Sequence, residues 1–416
     1  MALRGWTWDA AMGPAGLGDR PLLEAVRAAI PDGAVQAAIE ATGTRERRRR
    51  LLPTSLVVTL VVAMGLWAAE SVRHALAVVV DGWREGPAAA AAGWQVPTSA
   101  AIARARHRAG ARLLRVLFHA VAGPLATAET RGAFLAGPRL MAVDGTTLEV
   151  ADTPGNAHAF GYPGTGRSTG RGAFPQLRLV ALIETGTHAL CDVVLRPCRG
   201  GEGPAALRLL RSVGPGMLLL WDRNFHSYRL VQATLARGAH CLGRAKTGLI
   251  VAPTELLGDG SFRAQLYPDA KARRRDAGGV TVRVIEYALD TAAGPGAERY
   301  RLVASLLDAR AFPAAALAAT YHERWEVETA LDEVKVHQWA HPKPLRSRHP
   351  REVVQEVYGL LLAHLAIRTV MHQAALRQGV DPDRLSFTGA LRVLRRAIPR
   401  AQRTWPEAFP LFRPTS

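Results

Sequence analysis

Four residues with chemistry to offer, Tyr321, Arg324, Glu328 and Lys335, lie in one stretch, Tyr321-His-Glu-Arg-Trp-Glu-Val-Glu-Thr-Ala-Leu-Asp-Glu-Val-Lys335. It has no Gly or Pro and is rich in Glu, Ala, Leu, Arg and Lys, so it predicts a helix. At about 100° per residue the four side chains fall within roughly 60° of one another, as one polar stripe. Such stripes also decorate ordinary solvated helices. Two carboxylates upstream change the meaning. Leu140-Met-Ala-Val-Asp144 and Met217-Leu-Leu-Leu-Trp-Asp222 are apolar runs that end in Asp. Each predicts a buried strand delivering a carboxylate at its carboxyl end, where open α/β sheets place their ligands. Either Asp alone is an ordinary turn residue. Together with Glu328 they would repel one another unless cations neutralise them, so Asp144, Asp222 and Glu328 predict a divalent-metal site. Two ions about 3.5–4 Å apart would activate an attacking oxygen and stabilise a leaving one in phosphoryl transfer.

The elements that must hold these residues follow from the pattern of the chain. Leu177–Glu184 and Ala189–Leu195 predict paired strands around a Gly186-Thr turn, and Gly203–Val213 and His226–Arg237 predict helices on either side of the Asp222 strand. Ala239–Arg244 predicts a further strand. About 70 residues of different character then precede the Glu328 helix, with β-like segments Val280–Ala288 and Arg299–Leu307. Beyond Lys335, Val353–Met371 predicts a long apolar helix that supports the core.

The spacing Y-(2)-R-(3)-E-(6)-K, with strand-borne Asp144 and with Asp222-Arg-Asn-Phe225, resembles the DDE transposases of the insertion-element-four family. Phe174-Pro-Gln-Leu-Arg178, Leu345-Arg-Ser347, Gln355-Glu-Val-Tyr-Gly359 and Ser386-Phe387 resemble that family too, and the likeness runs from about residue 45 to residue 395. The resemblance implies an α/β fold: an RNase H-like catalytic core, a mixed sheet flanked by helices, interrupted by a β-rich insertion and preceded by an α-helical amino-terminal domain. The expected division is 1–130 helical and DNA-binding, 131–245 and 311–385 catalytic core, 246–310 insertion, and 386–416 a basic tail. It also implies a cut-and-paste enzyme that binds terminal inverted repeats, cleaves, and joins the ends to a target. Asp144, Asp222 and Glu328 would bind two Mg²⁺ ions, with Mn²⁺ able to substitute. Arg324 and Lys335 would hold phosphates of the cleaved end, and Tyr321 would touch DNA nearby. The implied partners are double-stranded transposon ends and target DNA, with a dimer in the synaptic complex and no membrane, and the implied setting is the cytoplasm.

Composition agrees with a polyanionic partner. Lys plus Arg is 53 against 35 for Asp plus Glu, a net charge of +18. Apolar residues are 48 %, enough for a sizeable core. The three cysteines form no CxxC, which argues against a disulfide framework. The apolar run Leu56–Ala69 is too short to span a bilayer and reads as a buried helix.

Basic residues cluster at several places. After Pro97-Thr-Ser, the residues Arg104, Arg106, Arg108, Arg112 and Arg115 are interleaved with apolar ones, a helix with one packing face and one basic face. Arg104 and Arg108 are its candidate DNA contacts. Arg273, Arg274 and Arg275 are candidate phosphate contacts in the insertion, or else a solvated hairpin tip. The Gly-rich segment Pro154–Gly172 reads as a loop. It contains Gly161-Tyr-Pro-Gly-Thr-Gly-Arg-Ser168, which has a P-loop outline but no strand feeding it. Two competing readings stand beside the transposase: an RNase H-like nuclease that cuts without joining, and a DNA-binding protein that has lost catalysis. The presence of all three carboxylates argues against the second.

Overall fold

The structure, a computed structural model, describes residues 19–48, 50–84, 95–164, 172–289, 298–323, 325–339 and 344–404. The amino-terminal part is helical: α1 (Asp19–Ala29), α2 (Asp32–Thr42), α3 (Thr54–Leu66), α4 (Val72–Arg84) and α5 (Ser99–Val121). The middle of the chain alternates: β1 (Arg139–Glu149), α6 (Pro154–Phe160), β2 (Gln176–Glu184), β3 (Ala189–Pro197), α7 (Glu202–Leu209), β4 (Met217–Trp221), α8 (Tyr228–Ala236) and β5 (His240–Arg244). Then come β6 (Pro253–Leu256), β7 (Phe262–Leu266), the short α9 (Ala270–Arg274), β8 (Val280–Leu289) and β9 (Glu298–Ala304). The described part then continues with α10 (Ala314–Glu323), α11 (Trp325–Asp332), a π-helical segment Glu333–Gln338, α12 (Pro350–Gln378) and α13 (Phe387–Thr404).

The nine strands among the described residues form one sheet in the order β3-β2-β1-β4-β5-β9-β8-β7-β6. The pairs β1–β4 and β4–β5 are parallel and the others antiparallel. The first five strands give the expected RNase H-like core, with Asp144 on β1 and Asp222 just beyond β4. Central parallel strands are buried on both faces, which is why β4 reads as an unbroken apolar run. The sheet also crosses the boundary expected at residue 246. β9 pairs with β5 at Leu242↔Ala304 and Gly243↔Val303, so the insertion extends the catalytic sheet and is no separate layer.

Two cores form on the two faces. Leu140, Ala142, Leu218, Leu220 and Leu242 face the helical domain, α11 and α12. Met141, Val143, Leu219, Trp221 and Cys241 face α7 and α8. α3, apolar on every side, is buried against α12. α12 is, among the described residues, the one helix long and apolar enough to cross a membrane, and 94 % of its apolar window is buried within this fold.

Three expectations need correction. The segment read as a loop from Pro154 contains α6, because Thr153 caps it by accepting from the Asn156 amide at 3.2 Å and Pro154 suits a first helical position. The segment read as a basic tail contains α13, whose Leu391, Leu394, Ala397 and Ile398 are buried against α1, α4 and α12. The basic helix α5 is interrupted at Gly110, whose φ of 72° only glycine adopts freely.

Candidate active site at the ends of strands β1 and β4

The parallel register pairs Val143 with Trp221, so Asp144 and Asp222 follow side by side at the carboxyl ends of adjacent strands. Such strands lie about 4.8 Å apart. Side chains alternate along a strand, so Asp144 shares the face of Leu140 and Ala142, and Asp222 that of Leu218 and Leu220. That is the face on which α11 packs through Ala330 and Leu331, close against β1. The sequence therefore brings both aspartates and the Glu328 helix to one side of the sheet.

Local contacts orient the carboxylates. Asp144 Oδ1 accepts from the Gly145 amide at 2.8 Å. Asp222 closes a turn on itself: Oδ1 accepts from the Asn224 and Phe225 amides at 2.9 and 3.3 Å, and Oδ2 from Asn224 Nδ2 at 2.9 Å. Both aspartates are half-buried and Glu328 is exposed. Trp221, fully buried, lies over Gly243 of β5, where a Cβ would stand 2.1 Å from the indole nitrogen. The residue before Asp222 is thus fixed by a neighbour without a side chain.

All-oxygen donors, half-buried or exposed, at the carboxyl ends of central strands suit a hard divalent cation. Among the described residues no three His, Cys, Asp or Glu side chains stand close enough together to hold an ion unaided. Asp144, Asp222 and Glu328 therefore do not meet as a closed three-carboxylate cluster here.

The other expected residues divide. Lys335 is half-buried within the π-helical segment, so the regular 100° stripe ends at Asp332 and its side chain does not continue the α-helical row. Tyr321 is 2 % exposed and belongs to the core beneath α10, so the expected contact with DNA is not presented at the surface; the apolar face of that helix turns it inward. Arg324 lies outside the described residues, and nothing is placed for it. Arg104 and Arg108 are exposed on α5, while Arg106 between them is buried. Arg273 and Arg274 on α9, and Arg275 after it, are exposed at the tip between β7 and β8.

One cation was missed. β5 runs parallel to β4 with Gly243 opposite Trp221, so Arg244 stands next to Asp222 on the same face as Leu242. Its guanidinium lies 4.2 Å from the Tyr300 ring centroid, and Tyr300 stacks on Tyr287 at 5.4 Å. His322, within the signature stretch, meets both rings edge-on and pairs its Nε2 with Tyr287 Oη at 2.9 Å. The signal for Arg244 was its place as the last residue of an apolar strand; only the register set it beside Asp222.

With both aspartates and the Glu328 helix placed on one face, the comparisons with known proteins decide the family. A family profile described as a transposase DDE domain matches residues 135–366, more than half of the chain. The chain belongs to the DDE transposases of insertion-element-four type. A second profile, the insertion element 4 transposase amino-terminal domain, matches residues 22–119 of this transposase. Transposase InsG for insertion sequence element IS4 of Escherichia coli K12 is 28 % identical over 378 residues, 89 % of this chain and 81 % of the relative. Putative transposase InsZ of the same organism is 29 % identical over 218 residues, 51 % of this chain and 67 % of that one. Among solved structures, a piggyBac transposase synaptic complex with hairpin DNA aligns with a TM-score of 0.48 at 10 % identity, covering 95 % of this chain and 82 % of that one. The transposase is thus an insertion-sequence enzyme whose family acts on DNA with divalent metal.

Proposed function

We propose that Asp144, Asp222 and Glu328 are the metal-binding carboxylates of this transposase, with two Mg²⁺ ions as the natural occupants and Mn²⁺ able to replace them. The observation that carries this is the β1–β4 register, which sets two carboxylates side by side on the face against which the Glu328 helix packs. When bound, such ions polarise a phosphodiester and favour deprotonation of the attacking oxygen. The chain's own residues do the rest. The Asn224 side chain, with the Asn224 and Phe225 amides, holds the Asp222 carboxylate in one orientation at the end of β4. Lys335 and Arg244, with Arg324, supply positive charge for the phosphates of the cleaved strand. No side chain acts as nucleophile: water attacks first and a DNA 3′-OH second.

Arg104 and Arg108 on α5, and Arg273, Arg274 and Arg275 at the β7–β8 tip, bind the backbone of the terminal repeats, which fits the net charge of +18. Two copies bring two ends together in the synaptic complex, and the reaction takes place in the cytoplasm where the element's DNA lies. The test is cleavage of a labelled duplex carrying the element's terminal repeat, in Mg²⁺ or EDTA, by the wild type and by Glu328→Gln. Mg²⁺-dependent nicking at the boundary that the variant lacks supports the assignment; equal nicking by both removes Glu328 from it. Joined products in the same reaction separate a transposase from a nuclease that only cuts.

A further inference from the structure

Five residues beyond Glu328, Glu333 points into the core instead of to solvent and is 3 % exposed. It opens the π-helical segment. Arg368 of α12 donates from Nε to Glu333 Oε2 at 2.8 Å, and its Nη2 pairs with Oε1. His364, one turn earlier on α12, donates from Nε2 to Oε2 at 3.0 Å. His188, in the turn between β2 and β3, has Nδ1 3.5 Å from Glu333 Oε1 and Nε2 3.2 Å from Asp383 Oδ1. The Phe387 ring closes the cluster, 5.8 Å from the Arg368 guanidinium and 5.5 Å from the His364 ring. Burial alone would raise the Glu333 carboxyl; the Arg368 guanidinium, with His188 and His364, overrides it and holds it well below the usual carboxylate range.

This arrangement is costly to make and narrow in geometry. A buried carboxylate survives only with its partners in place, and a two-point contact with a guanidinium fixes direction as well as distance. His188 reaches it from a backbone with φ of 55°, uncommon for a residue with a side chain. A guanidinium fills the place a cation would take, so the cluster is no metal site. The cluster joins the long core helix and the β2–β3 turn to one residue of the segment that carries Lys335 and continues the Glu328 helix, and His188 extends it to Asp383 before α13.

We infer that Glu333 is a positioning residue, anchored by Arg368, His364 and His188, which fixes the rotation and axial place of Glu328 and Lys335 over the ends of β1 and β4. Glu328 stands five residues from this anchor, about 7.5 Å along a helix. The helix cannot turn about its axis without dragging the buried Arg368 with it. The π-helical turn changes the angular relation of Lys335 to Glu328, and Glu333 at its first position holds that turn in register. A misplacement of about 1 Å at a reacting centre costs on the order of 100-fold in rate. This inference rests on the assignment of Glu328 proposed above.

The experiment compares the wild type, Glu328→Gln, and the paired variant Glu333→Gln with Arg368→Met, which removes both buried charges together. Each is measured for thermal unfolding, end-duplex affinity, single-turnover cleavage of the bound duplex, and Mn²⁺ affinity of the complex by the free-ion paramagnetic signal. The paired variant should fold, bind the duplex within about threefold of wild type, cleave on the order of 100-fold more slowly, and hold Mn²⁺ more weakly. Arg368→Lys, which keeps the charge, should recover part of the rate. If the paired variant cleaves within about threefold of wild type while Glu328→Gln is inactive, the positioning role is wrong and the site assignment stands. If Glu328→Gln cleaves like wild type, the site assignment falls and this inference with it. If neither the paired variant nor Arg368→Lys folds, the cluster serves stability alone and the positioning role is overturned.

Discussion

Arg106 Nη2 donates to Ser347 Oγ at 2.9 Å, joining α5 to the turn before α12 across 241 residues of chain. The same nitrogen donates to the Glu352 carbonyl at 2.9 Å, and Gln355 Nε2 returns a bond to the Arg106 carbonyl at 2.7 Å. Nearby, Arg346 reaches the Met64 carbonyl at 2.9 Å and the Glu356 carboxylate at 2.9 Å. The short stretches Leu345-Arg-Ser347 and Gln355–Gly359 are thus the seam between the helical domain and the catalytic core. Arg106, 4 % exposed, belongs to this seam and not to the basic surface around it. Arg106→Ala should therefore lower stability by about 2–4 kcal/mol, because its charged hydrogen bonds disappear and buried partners are left unpaired. A urea titration reads the shift in midpoint; an unchanged midpoint would remove Arg106 from the seam.

Its neighbours should behave in the opposite way. Arg104 and Arg108 are exposed, four residues apart on one side of α5 before the break at Gly110. Paired substitution by Ala should leave unfolding within about 0.5 kcal/mol of wild type. It should reduce the slope of end-binding affinity against salt by about two, one for each phosphate no longer neutralised. The triple change at Arg273, Arg274 and Arg275 should reduce it by about three on the same reasoning. A slope that does not move for either set would place the DNA on another face.

What could be read from sequence followed local pattern. The apolar runs before Asp144 and Asp222 announced two buried strands and their terminal carboxylates, and the family spacing placed Glu328 on a helix. What escaped depends on distant partners. The inward turn of Tyr321 follows from packing beneath α10, and the π-helical turn from a Glu333 whose partners lie 31, 35 and more than 140 residues away. Arg244 became a site residue only through the β4–β5 register. The helix α13 was legible, since Leu391, Leu394 and Ile398 recur at helical spacing, but its arginines suggested a tail.

A close crossing of two helices makes the next expectation sharp. A Cβ on Gly359 of α12 would stand 2.3 Å from the Val61 carbonyl oxygen of α3, and one on Gly65 would stand 2.6 Å from the Gly359 carbonyl oxygen. Both obstacles are backbone atoms of packed helices, which cannot swing aside as a flexible side chain would. Gly359→Ala should therefore force α3 and α12 apart and cost about 1–3 kcal/mol or more. Thermal unfolding is the measurement, and a variant as stable as wild type would show that the crossing is looser than described. The same separation would strain the Arg346 bonds to the end of α3, so the loss should be coupled, not additive, with Arg346→Ala.

His226 gives the fold a dependence on acid. It lies four residues past Asp222, is 3 % exposed, and among the described residues neither ring nitrogen has a hydrogen-bond partner. Burial, and then the charge of Lys246, push its pKa down from 6.5 to about 4. The unfolded chain therefore binds a proton at this residue across an interval in which the folded chain does not. Stability from the neutral imidazole is fully present above about pH 6.5, falls as the pH drops toward 4, and falls no further below that. The full span corresponds to about 3 kcal/mol, each pKa unit contributing about 1.4 kcal/mol. His226→Leu, which fills the apolar site without a titrating group, should remove close to one proton from the dependence of unfolding free energy on pH over that interval. Stability near pH 7.5 should change by less than about 1.5 kcal/mol, since the neutral ring contributes no hydrogen bond to lose. Denaturant titrations of both proteins from pH 4 to 8 decide it, and an identical acid slope in the two would mean that His226 is solvated in the folded protein.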